Sequence, residues 1–98
     1  MSNRLENIIR NNKKEILDHK ITIDKIDSSK LDFAESAEQV DLFNETAFAR
    51  ITLFESGRLY IQILNIKTEE TVYFFDDMLD KDIDLEDFII QAIKKCNF

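Results

Sequence analysis

Residues 46–75, TAFARITLFESGRLYIQILNIKTEETVYFF, decide how this chain folds. Runs at 47–54, 59–66 and 71–75 are rich in β-branched and aromatic residues. The polar groups Glu55-Ser56-Gly57-Arg58 and Lys67-Thr68-Glu69-Glu70 separate them. That pattern predicts three strands joined by tight turns. Gly57 is the only glycine among 98 residues, so the one residue free of the steric cost of positive φ stands where the first hairpin must turn. Upstream, Val40 to Phe43 predicts a further strand that reaches Ala47 through Asn44-Glu45.

Alternation then assigns faces, because neighbouring side chains of a strand point to opposite sides. Ala47, Ala49, Ile51, Leu53, Leu59, Ile61, Ile63, Val72 and Phe74 are expected on one face, apolar enough to carry helices. Phe48, Arg50, Thr52, Phe54, Tyr60, Gln62, Leu64, Ile66, Tyr73 and Phe75 are expected on the other.

The flanks predict helices. Leu5, Ile8, Ile9, Ile16 and Leu17 recur at helical spacing, which predicts a helix over 3–18 with Ser2 or Asn3 as its cap. Ile21 and Ile23, alternating with Thr22 and Asp24, predict a strand over 20–26, and continuation of the helix to Ile26 competes with it. Residues 28–38 read as a loop or short helical turn. A last helix begins near Asp84, whose carboxylate can cap it, and ends at Lys94 and Lys95. Leu85, Phe88, Ile89, Ala92 and Ile93 form its apolar stripe. The expected architecture is a single α+β domain over 1–98. It comprises an N-terminal helix, an antiparallel meander of four to five strands and a C-terminal helix, with both helices on one sheet face.

Composition narrows function. With one His, one Cys, one Gly and no Pro, the chain carries little catalytic vocabulary. A nucleophile needs a base and an orienting group beside it, whereas His19 and Cys96 lie far apart in sequence. His19 reads as a solvent-facing residue at a helix end and Cys96 as an apolar filler. Zinc would need a Cys/His cluster, and a phosphate-cradling loop needs several glycines. Asp80, Asp82 and Asp84 match the first positions of a calcium loop, but Leu85 stands where Gly is needed and Gln91 where the bidentate Glu belongs. The expectation is no enzyme, no metal and no cofactor. The N-terminus lacks a signal-peptide core and no apolar run is long enough for a membrane span, so a cytoplasmic location is expected. The lone Cys96 suits a reducing compartment.

The net charge of −7 is uneven, with seven basic and five acidic residues in 1–30 against six basic and fifteen acidic in 31–98. Such a field disfavours nucleic acid and acidic membranes and favours basic proteins. An aromatic sheet face holding an Arg has the composition of a protein interface. The same face could instead be covered by the N-terminal segment as a second core layer, or by a second copy in a homodimer. The acidic run from Asp76 to Asp87 reads either as a solvated loop with favourable charge at a helix start, or as a patch that meets a basic partner. Met78 and Leu79 within it are core-edge residues or exposed anchors.

The central residues resemble the bacterial immunity proteins of polymorphic toxin systems, in particular the TriTu type. The resemblance rests on Ala49-Arg50-Ile51-Thr52-Leu53-Phe54-Glu55-Ser56-Gly57 and on Asn65-Ile66-Lys67-Thr68-Glu69-Glu70. Phe54 stands where the family pattern favours Trp. The resemblance implies an antitoxin that binds a cognate toxin domain and occludes its active or substrate site, with no catalytic residue of its own. The contacts expected for that role are Asp76, Asp77, Asp80, Asp82 and Glu86 as the charged part, with Arg50, Phe54, Tyr60 and Tyr73 as anchors. A non-catalytic structural or regulatory subunit, or an acidic inhibitor that imitates nucleic acid, would use the same features.

Overall fold

The computed structural model describes residues 3–27 and 36–98. Its elements follow as α1 (Arg4–Asn11), α2 (Lys13–Asp18), β1 (Thr22–Asp27), β2 (Ala37–Phe43), β3 (Ala47–Phe54), β4 (Arg58–Asn65), β5 (Thr71–Met78) and α3 (Leu85–Lys94). The strands form one antiparallel sheet in sequence order β1-β2-β3-β4-β5. The fold is therefore α+β with five strands, and strand rather than helix continues after α2.

Register explains where the core lies. Ile26 pairs with Val40, Val40 with Ile51, Ile51 with Ile61 and Ile61 with Phe75, which sets one apolar residue from each strand in a single line across the sheet. A second line runs through Ile23, Leu42, Ala49, Ile63 and Tyr73. The apolar stripes of the three helices, including Leu5, Ile8, Ile9, Ile16, Ile89 and Ile93, pack in one cluster with these lines. Burying one such Ile or Leu fully stabilises the fold by about 2 kcal/mol, so the shared face holds sheet and helices together.

β5 corrects the expected faces. Leu64 opposes Thr71 but Ile63 opposes Tyr73, so Val72 is the extra residue of a bulge. Without it, the register begun at Leu64 would set Val72 opposite Ile63 and Phe74 opposite Ile61. The bulge advances every later residue by one and exchanges the faces. Tyr73 and Phe75 accordingly lie under the helices, Phe75 against the Phe88 ring at 4.9 Å, while Val72 and Phe74 are exposed. The strand also runs on to Met78, so Asp76 and Asp77 belong to it rather than to a loop. Met78 is exposed and reaches within 3.3 Å of the position a Cβ would take on Gly57, whereas Leu79 packs on the core.

The N-terminal helix is two helices. Asn12 breaks it at φ −116° and ψ 14° and donates its side-chain amide to the Ile8 carbonyl at 2.8 Å and to Glu86 Oε2 at 2.8 Å. The break turns α2 against α3, where Lys94 pairs with Glu15 at 3.0 Å. Asn3 occupies the cap position of α1 without using its side chain. Instead Glu38, buried on the helix side of β2, accepts from the backbone N–H groups of Leu5 and Glu6 at 3.2 Å each. A carboxylate from the sheet thus satisfies two orphan donors at the positive end of the helix. Strand β2 begins at Ala37, inside the stretch read as loop, and residues 28–35 of that stretch lie outside the described residues.

Turns carry their own chemistry. α2 ends with Lys20 at φ 62°, Lys20 N bonded to the Leu17 carbonyl and Ile21 N to the Ile16 carbonyl, a Schellman closure with Lys where Gly is preferred. In the β4–β5 turn, Asn65 Oδ1 accepts from Lys67 N and Thr68 N, and Thr68 Oγ1 accepts from Glu70 N. In the β2–β3 turn, Asn44 Oδ1 accepts from Thr46 N and Ala47 N while its amide donates to the Cys96 carbonyl. At the far end of the chain, Asp84 caps α3 by accepting from Glu86 N and Asp87 N, as its sequence position predicts.

Two substitutions should move stability in opposite directions. Glu38→Ala leaves one buried and one part-buried donor without this partner and should lower stability by about 2 kcal/mol, read as a reduced urea midpoint at unchanged slope. Lys20→Gly relieves the left-handed backbone and should raise the same midpoint, by about 0.5–1 kcal/mol in stability.

Candidate functional site: the open face of the sheet

All three helices lie on one side of the sheet, and among the described residues no element covers the other. Each strand residue that alternates with the core lines therefore contributes to an open face. One row across it reads Asp41, Arg50, Gln62 and Phe74, and the next reads Gln39, Thr52, Tyr60 and Asp76.

Charge on this face is paired across strands. The Arg50 guanidinium grips Asp41 with two bonds, Nε to Oδ1 at 2.8 Å and Nη2 to Oδ2 at 3.0 Å. The bond to Asp41 chiefly, against the opposing effect of burial, raises the Arg50 pKa above its ordinary value. Arg50 also lies 6.0 Å from the Phe48 ring centroid, within cation–π range. Arg58 Nε donates to Asp76 Oδ1 at 2.8 Å. Polar groups are tied similarly, Thr52 to Gln39 Oε1 at 3.1 Å and the Tyr60 hydroxyl to Gln62 Oε1 at 2.8 Å. The Tyr60 and Phe74 rings meet edge to face at 5.5 Å.

Gln39, Arg50, Thr52, Phe54 and Tyr60 line a depression of about 240 Å³ in this face. It offers two aromatic walls, a polar floor, and an Arg whose side chain is 47% exposed and has N–H donors beyond the two that hold Asp41. A depression of that description has room for a protruding side chain and a donor for an acceptor beside it.

Of the residues expected at a site, Arg50, Phe54 and Tyr60 come together here, with Asp76 in the row of Tyr60. Tyr73 does not: it lies on the helix side, with Lys95 Nζ 5.2 Å from its ring centroid. Asp77 lies on the helix side opposite Leu59 and bonds the N–H of Met78. Asp80 and Asp82 are exposed between β5 and α3, and Glu86 accepts from Asn12. The acidic run is therefore divided between two faces and a connecting loop. Gln39, Asp41 and Phe74 join the face without having been expected there. Alternation of Gln39, Asp41 and Phe43 with Val40 and Leu42 is the signal that finds the first two.

A family model described as immunity protein TriTu matches residues 3–94. The chain belongs to the TriTu immunity protein family. No curated protein matches it and no solved structure does. In this immunity protein the two stretches that carry the resemblance have distinct physical tasks. Arg50 and Phe54 of the first present side chains on the open face, and Gly57 turns its hairpin at φ 99°. Asn65 and Thr68 of the second bond backbone donors of their own turn.

Elsewhere, His19 is exposed at the end of α2, and Cys96 is fully buried in the core cluster. Among the described residues, no group of three or more His, Cys, Asp or Glu is placed to hold a metal ion. Among the same residues, no helix is long and apolar enough to cross a membrane. Burial pushes the Cys96 thiol from 9.0 up to about 11.

Because the folded thiol stays protonated where the unfolded one ionises, its contribution is intact below pH 9 and is lost as pH rises toward 11. Stability should fall over that window by about 2 kcal/mol more than in Cys96→Ala, measured as the difference between the two pH profiles of urea unfolding.

Proposed function

We propose that this protein neutralises a cognate toxin domain by binding it and occluding its active or substrate site, with no chemistry of its own. The observation that carries this reading is the open face: an aromatic, internally paired sheet surface left uncovered among the described residues of a TriTu family member. Arg50, Phe54 and Tyr60 are the anchors, since rigid aromatic groups and Arg around a desolvated pocket dominate binding energy in protein interfaces. The bonds of Arg50 to Asp41 and of Tyr60 to Gln62 also reduce the side-chain freedom lost on binding.

The acidic groups act earlier in the encounter. Asp80 and Asp82 are exposed between β5 and α3, so a toxin with a basic substrate groove would be drawn toward that end of the molecule. A groove that holds phosphates is basic for the same reason, which makes a nucleic-acid-cleaving toxin the best-suited class. The protein is a cytoplasmic antitoxin on this reading, present where such a toxin would act.

The test is co-expression with the cognate toxin domain, together with binding kinetics on the purified pair. Rescue of growth and a stable complex are expected. Tyr60→Ala should weaken binding about 30-fold or more through faster dissociation. Asp80→Asn with Asp82→Asn should slow association at low salt and leave dissociation nearly unchanged. Growth arrest despite co-expression, with no complex, overturns the proposal. An association rate indifferent to salt removes the steering role.

A further inference from the structure

The two edges of the sheet are built differently. β1 is short, carries Asp24 and Lys25 exposed at its middle, and is interrupted by a bulge at Asp24. Such charges and bulges prevent another strand from adding to an edge. β5 is less protected over most of its length, its two charges, Asp76 and Asp77, lying together near its end. Its eight residues include no Lys, Arg or Pro, and its bulge at Val72 lies near the start, which leaves Tyr73 to Met78 in unbroken register with β4. Three of its apolar side chains are exposed, Val72, Phe74 and Met78, with Phe74 at 55%. Since among the described residues β5 has a strand on one side only, half of its backbone N–H and C=O groups face outward.

We propose that the outer edge of β5 pairs with β5 of a second copy of this chain, antiparallel, about a two-fold axis at Phe75. Self-pairing must set each side chain against one on the same face, which restricts the axis to a residue rather than a gap between residues. With the axis at Phe75, Phe74 stands opposite Asp76 of the second copy and Tyr73 stands opposite Asp77. The paired segment then covers the regular part of the strand and avoids the bulge.

Charge selects this register. On the helix side, Lys95 Nζ lies 5.2 Å from the Tyr73 ring centroid, and Asp77 is exposed on that same side. Placing Asp77 of one copy opposite Tyr73 of the other brings it beside Lys95, and the symmetry makes the pair twice. No like charges oppose each other, because Asp76 and Asp77 each face an aromatic residue across the seam. A two-fold axis perpendicular to the sheet keeps both helix layers on one side and both open faces on the other, so a continuous ten-stranded sheet results. The pairing is independent of the toxin-binding reading and leaves Arg50 and Tyr60 exposed.

One short strand pair buries little area, so association in the micromolar range is expected. Sedimentation equilibrium from about 1 to 300 µM should show a monomer–dimer equilibrium. Asp77→Lys should shift it at least tenfold toward monomer, and Asp77→Lys with Lys95→Asp should restore it. In a Cys96→Ala background, mild oxidation of a mixture of Phe74→Cys and Asp76→Cys chains should give a crosslinked dimer joining the two variants. Paired strands place those Cα atoms about 5 Å apart, within disulfide reach. Thermal unfolding of each variant separates loss of pairing from loss of fold. A monomer throughout the range, or a dimer that neither reverses with the charge exchange nor crosslinks in the mixture, overturns the proposal.

Discussion

The line Ile26, Val40, Ile51, Ile61 and Phe75 is the constraint on which the rest of the structure depends. It takes one apolar residue from each strand, and a slip of a single residue in any strand would replace an apolar side chain with one from the open face. Both bulges serve this line. The extra residue at Asp24 brings Ile23 and Ile26, three apart in sequence, to the same side, and the extra residue at Val72 brings in Phe75. The helices then have one surface to cover, and the other surface is determined by subtraction.

The parts of the fold that could be read from the sequence are those where alternation is unambiguous. Strand β3 has the predicted bounds, because Ala47, Ala49, Ile51 and Leu53 alternate with residues that include Arg50 and Thr52, and Asp84 caps α3 where its side chain suggests. In β5 the run Val72-Tyr73-Phe74-Phe75 is apolar at both parities, so period two carries no information, and only the turn and bulge fix the face. The break at Asn12 is equally hidden. Asn is a tolerable helix residue, and the partner its side chain finds, Glu86, lies 74 positions away. Glu38 illustrates the same limit, since an acidic residue before a strand looks like loop until the helix it caps is in place.

The site was legible to a similar degree. Arg50, Phe54 and Tyr60 share a face with consecutive, well-marked strands, whereas Tyr73 was lost to the bulge and Asp41 required the full extent of β2. The geometry also changes what the charges mean. Asp41 and Asp76 are bound to arginines on the neighbouring strand, which makes the open face close to neutral over its centre despite the net charge of the chain. A partner resting there would meet aromatic edges and tethered side chains, and the long-range field would come from elsewhere on the molecule.

The strand order β1 to β5 follows the order of the chain without a crossover. Each strand meets its neighbour across a short span of sequence, so little loop entropy opposes pairing, and chains with such local topology fold rapidly. On a ribosome the sheet could zip from one end to the other as residues emerge. Its apolar side would still lack Ile89, Ile90, Ala92 and Ile93 until the last helix arrived. Half of the molecule, the half without helices, would thus be shaped first, and the final ten-residue helix would act as the latch that makes the shape permanent.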